Sequence, residues 1–150
     1  CYHGQLTMPN WESQGSHRYY RDMDILFFEV HEVFALPDIQ WMYDLCDAAE
    51  AQYGYILAVF DGRHASGMTA EARRYVAKRS RAHVAPGATA IIGASLGLRT
   101  VVHLLRNAIR LFGQVAAPIH FCSTAEEATE WLASQRPQFV KHHQPAEPRR

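Results

Sequence analysis

The sequence predicts an α/β domain with a mixed, mainly parallel sheet of about five strands and helices packed on it, in the order β-β-α-β-α-β-α-β-α. Three observations predict it. Short apolar runs of strand type recur along the chain: ILFFEVHEV (25–33), YILAVFD (55–61) and ATAIIGA (88–94). Stretches with apolar residues at helical spacing separate them. The chain has 150 residues, 48% of them apolar and 20% charged. That is enough for one domain with its own core, in the balance usual for globular proteins.

Each element has a local reason. His17 to Arg21 reads as a first strand, and Asp22-Met23-Asp24 as a turn. In Ile25 to Val33, Phe27, Glu29 and His31 share one face, and Phe28, Val30 and Glu32 the other. Leu36-Pro37-Asp38 opens a helix to about Tyr53, with Ile39, Met42, Leu45, Cys46 and Ala49 on one side and Gly54 as its C-terminal cap. Tyr55 to Asp61 is a buried-type strand, and GRHASGMT (62–69) follows as a loop. A second helix runs from Thr69 to His83, and Ala85-Pro86-Gly87 breaks it before the next strand. A third helix runs from about Leu96 to Phe112, closed by Gly113, with an apolar stripe through Leu98, Val101, Val102, Leu105 and Ile109. Pro118 to Ser123 is a last strand. Ser123-Thr124-Ala125-Glu126 is a capping box that opens a fourth helix carrying Ala128, Trp131 and Leu132. Residues 1–15 read as a flexible N-terminal segment, 16–136 as the domain, and 137–150 as a disordered tail.

Composition excludes some functions. The formal net charge is zero, which gives no support to nucleic-acid binding, and few aromatics interleave with the basic residues. No apolar run approaches the roughly 20 residues of a transmembrane helix. The nine histidines are scattered without metal-site spacing, and His142-His143 lies in the polar tail, so no metal and no cofactor is implied. Cys1, Cys46 and Cys122 are an odd, sparse set, which fits a reducing cytoplasm better than a disulfide framework. Residues 1–7 read as a remnant of processing, with Met8 as a candidate start; a mature lipoprotein would also begin with cysteine.

Gly93-Ala94-Ser95-Leu96-Gly97 matches the G-x-S-x-G pattern of a nucleophile elbow. A serine hydrolase would also need a base and an acid held near Ser95. His142 and His143 stand in the tail, and no Asp or Glu lies between Ser95 and His120. The simpler alternative has Ser95 capping the third helix.

The element order, with ILFFEVHEV, ILAVFD, ATAIIG and above all PIHFCSTAEEATEWL, resembles the STAS superfamily over residues 17–135. The likeness is to its bacterial branch of small STAS-like domains, related to CRAL-TRIO lipid-binding modules. That resemblance implies a non-enzymatic regulatory domain that binds a protein partner or a small anionic or lipidic ligand near residues 61–69. In anti-sigma-factor-antagonist members, a serine in an Asp-Ser-Ser-Gly-Leu-like loop is phosphorylated. Ser66, in Ala65-Ser66-Gly67-Met68, is its counterpart here, although Ala65 replaces a polar residue. A phosphate there would meet a helix N-terminus, with Arg63 beside it. Otherwise Ser66 caps the helix and Gly67 makes the turn. Asp61 ends a strand where open sheets place ligands, and either binds one or caps the loop.

Arg73 and Arg74 begin a basic helix that also carries Lys78, Arg79 and Arg81. Arg99, Arg106 and Arg110 fall on the polar side of the third helix. These face an acidic partner, an anionic ligand or solvent. Leu104 and Leu111 widen the third helix's apolar stripe, which fits a lipid-sized pocket, a homodimer contact or ordinary packing.

Overall fold

The computed structural model describes residues 8–111, 113 and 115–140. The readings made for residues 1–7, Phe112 and 141–150, His142-His143 among them, lie outside the described residues. Ten elements follow in chain order: β1 (Glu12–Gln14), β2 (His17–Asp22), β3 (Ile25–Phe34), α1 (Leu36–Tyr53), β4 (Ile56–Met68), α2 (Ala70–Ala82), β5 (Gly87–Ile92), α3 (Leu96–Leu111), β6 (Ile119–Cys122) and α4 (Ala125–Val140).

The sheet has six strands in sequential order. β1, β2 and β3 form antiparallel pairs, while β3, β4, β5 and β6 run parallel. The sixth strand is β1, inside the segment expected to be flexible. Gly15, at φ +58, turns the chain so that Glu12 pairs with Tyr19. At the other end α4 runs to Val140, past the expected boundary at 136, with Pro137 inside its last turn.

The largest departure from expectation is β4. Residues 62–68 read as a loop because Gly62, Ser66 and Gly67 are turn residues. They continue the strand, because β3 extends beside them and pairs as far as Phe34 with Met68. β5 accompanies β4 only to Asp61. Beyond that point β3 and β4 overhang as a two-stranded ribbon. Its register shifts twice, and Glu32, at φ +56, sits at the second shift.

Helices cover the two faces unequally. On one face Ile39, Met42 and Cys46 of α1 pack on Leu26, Phe28 and Ala58, with Ala72 of α2 beside them. On the other face α4 stands alone. Its Ala128 and Leu132 lie on Leu57, Val59, Ala88 and Ala90. Burying a leucine such as Leu132 contributes about 2 kcal/mol, and the small alanines let the helix approach closely. α4 is also tied by charge. Arg136 donates through Nε and Nη2, both at 2.7 Å, to Asp24 in the β2–β3 turn, and Tyr55 donates to the same carboxylate at 2.7 Å. α3 differs from the rest, because none of its side chains is buried.

The caps explain the helix starts. Asp38 accepts from the Ala35 N–H at 2.9 Å, and Gly54 ends α1 at φ +82. The cap of α4 sits one residue later than expected: Thr124 accepts from the Glu127 N–H, and Glu127 accepts from the Ser123 N–H.

Candidate functional site

α3 keeps its apolar stripe facing the sheet but stands away from it. The space between is a cavity of about 820 Å³, within the roughly 300–1,000 Å³ of small-molecule sites. Ala58, Phe60, Thr89 and Ile91 form its floor on the sheet. Leu98, Val101, Val102 and Ile109 form its roof on α3, and Val76 of α2 and Met42 of α1 close its sides. None of the α3 side chains is buried, so the helix roofs this space without filling it.

The expected site residues divide between the two faces of the sheet. Ser66, Gly67 and Arg73 are exposed and also line the cavity, so they mark its rim. Gly67 is at φ +154, a conformation that favours glycine. The N-cap of α2 is Thr69, whose hydroxyl accepts from Ala72 N–H at 3.2 Å, so Ser66 lies in extended β4 and does not cap that helix. Arg73 donates to the Met68 carbonyl at 2.7 Å, which fastens the ribbon's end to α2. Arg74 is exposed and outside the cavity.

Asp61 and Arg63 do not line the cavity. Alternation along β4 puts Ile56, Ala58 and Phe60 on its floor and Asp61 with Leu57 and Val59 on the opposite face. There Arg63 Nη2 donates to Asp61 at 2.6 Å and Nε at 3.0 Å, and the Arg63 N–H donates at 3.1 Å. Burial opposes ionisation of Asp61, but these bonds outweigh it and hold the carboxyl below the usual range. Arg63 also lies over the turn at Gly93, where a side chain would strike it. Beside this pair, Glu29 accepts from Arg18 at 2.9 Å and contacts His31 Nε2 at 2.6 Å, and His31 stacks on His64. Asp61 thus accepts the Arg63 N–H within β4 and pairs within a self-neutralised cluster, and no loop follows it to be capped. The parallel strands follow chain order without a reversal, so no switch-point crevice forms at Asp61.

Ser95 is exposed and accepts from the Leu98 N–H at 3.2 Å, the geometry of a helix cap. No imidazole among the described residues is hydrogen-bonded to it. His120 lies on the α4 face, stacked on Trp131 and 3.3 Å from Glu127. Burial pushes the Cys46 thiol up to about 12, which leaves a poor nucleophile at neutral pH. Among the described residues no cluster of His, Cys, Asp or Glu is placed to hold a metal, and no helix is long and apolar enough to cross a membrane.

One residue belongs elsewhere than its type implies. Arg106 was expected on the polar side of α3 with Arg99 and Arg110. Those two are exposed, but Arg106 lines the cavity. Its Nε is closed to solvent and has no hydrogen-bond partner. The signal was its position, one turn beyond Val102 and beside Leu105 and Ile109. Leu104 and Leu111 turn outward instead, at 63% and 85% exposure.

No family model matches this chain, and no curated protein does. Solved structures do. A protein of the DUF3478 family with a SpoIIAA-like fold, from Shewanella loihica PV-4, matches at a TM-score of 0.55 and 19% identity, over 83% of this chain and 92% of its own. The anti-sigma factor antagonist SpoIIAA in its unphosphorylated form matches at 0.52 and 14%, over 84% of this chain and 98% of its own. The fold is therefore SpoIIAA-like, of STAS type.

Proposed function

We propose that this chain is a non-enzymatic STAS-like binding domain that takes an apolar, lipid-like ligand in the cavity under α3 and acts through a protein partner. The cavity carries the proposal. Ordinary packing would close a space of about 820 Å³ lined mainly by apolar side chains, because an interior normally fills to crystal-like density. The rim includes Ser66, Gly67 and Arg73, from the segment where the STAS resemblance places binding. A partner role is supported by the fold shared with an anti-sigma factor antagonist. An exposed Ser66 at that rim is also where a phosphoryl group would change the surface a partner meets.

Native and denaturing intact-mass measurements on protein purified from its own cells test this. A noncovalent adduct lost on denaturation is expected, and a covalent gain of one phosphoryl group at Ser66 would add phosphorylation. Val101→Trp, which places an indole in the roof, should remove the adduct and the uptake of a polarity-sensitive dye. If protein with the native sequence carries no adduct and takes up no apolar probe, the proposal fails.

A further inference from the structure

We propose that the ligand of this cavity is amphipathic and carries one acidic head group, a carboxylate or a phosphate monoester, bound by Arg106. This rests on the apolar occupant proposed above and adds what its polar end must be. Arg106 projects from the inner face of α3 into a cavity whose walls, among the described residues, hold no carboxylate. The other basic side chains there have partners already: Arg73 donates to the Met68 carbonyl, and His83 Nε2 contacts Glu50 at 2.7 Å. Arg106 has no ion-pair partner among the described residues, and its Nε is shut away from water without an acceptor. A buried donor on a permanent cation is costly to leave unpaired. Guanidinium presents a planar fork of donors that matches the paired oxygens of a carboxylate or phosphate. An acidic head at Arg106 supplies that acceptor, and the apolar part lies between α3 and the sheet.

The test compares three probes of equal chain length below their micelle thresholds: hexadecanoate, hexadecyl phosphate and hexadecan-1-ol. Affinity is read by displacement of a polarity-sensitive dye from the full chain. At least one acid should bind 10-fold or more tighter than the alcohol, and the better acid identifies the head group. Arg106→Met should abolish the preference while leaving alcohol binding within about 2-fold, which also shows that the variant is folded. Arg106→Lys should keep part of the preference. Equal binding of acids and alcohol to the native sequence overturns the role of Arg106 but leaves the apolar cavity standing. A preference that survives Arg106→Met places the head elsewhere and also overturns it. Binding of none of the three overturns the apolar occupant itself.

Discussion

Asp24→Asn should cost about 2 kcal/mol of stability at pH 7. Asp24 is 8% exposed and accepts three hydrogen bonds, from Tyr55 and from two nitrogens of Arg136, each at 2.7 Å. Asparagine keeps the volume but gives up the charge and one acceptor oxygen, and its amide turns a donor toward a donor. A hydrogen bond to a charged group contributes about 1.5–3 kcal/mol net. The Arg136 side chain is 34% exposed, so solvent screening brings the sum toward the lower part of that range. Urea unfolding at pH 7 reads the loss directly, and the melting temperature should fall by about 4–8 °C. The pH dependence fixes the sign. Burial alone would raise the Asp24 pKa, but the bonds from Arg136 and Tyr55 outweigh it and hold the carboxyl below its ordinary 3.8. The stabilisation is therefore complete above about pH 4 and is lost as pH falls through the lower folded value. The gap between native sequence and variant should narrow on acidification below pH 4. Adding Arg136→Met to the variant should cost little more, since the pair is already broken. A variant within about 0.5 kcal/mol of the native sequence at pH 7, or a gap that widens in acid, would refute this account.

Three further outcomes follow from the backbone. Gly87→Ala should cost more than about 3 kcal/mol or prevent soluble expression, because Gly87 is at φ +151 and a Cβ there collides with the Ile56 carbonyl; soluble yield and the urea midpoint report it. Ser95→Ala should lose about 1 kcal/mol as a missing cap, seen as faster hydrogen exchange over 98–111, and protein with the native sequence should form no fluorophosphonate adduct. A covalent adduct at Ser95 would instead restore the hydrolase alternative. Met23→Gly should gain about 1 kcal/mol in urea unfolding, since Met23 holds φ +53 in a two-residue hairpin turn and is exposed.

The sequence made the parallel core legible wherever an element carried its own punctuation. Pro37 and Gly54 bracket α1, and Pro86 and Gly87 separate α2 from β5. It failed where a segment's partner decided its state. Residues 62–68 have the composition of a loop, and only the matching length of β3 turns them into strand. β1 is too short to show alternation. The cavity was the least legible feature. Periodicity shows which side of α3 is apolar, but not how far the helix stands from the sheet. For the same reason Arg106 read as surface, because its charge was easier to see than its place beside Val102 and Ile109.

The link between Asp24 and Arg136 also bears on synthesis. The two residues are 112 positions apart, so a ribosome adding about 5–20 residues per second makes the carboxylate roughly 6–22 s before the guanidinium. In that interval the sheet face that α4 will cover has no helix of its own, and Leu57, Val59 and Ala90 are open to other chains. The newborn protein passes through a one-sided stage, with α1 able to dock early and the opposite face bare. Chaperone demand during translation should therefore peak after β5 emerges and end when α4 arrives.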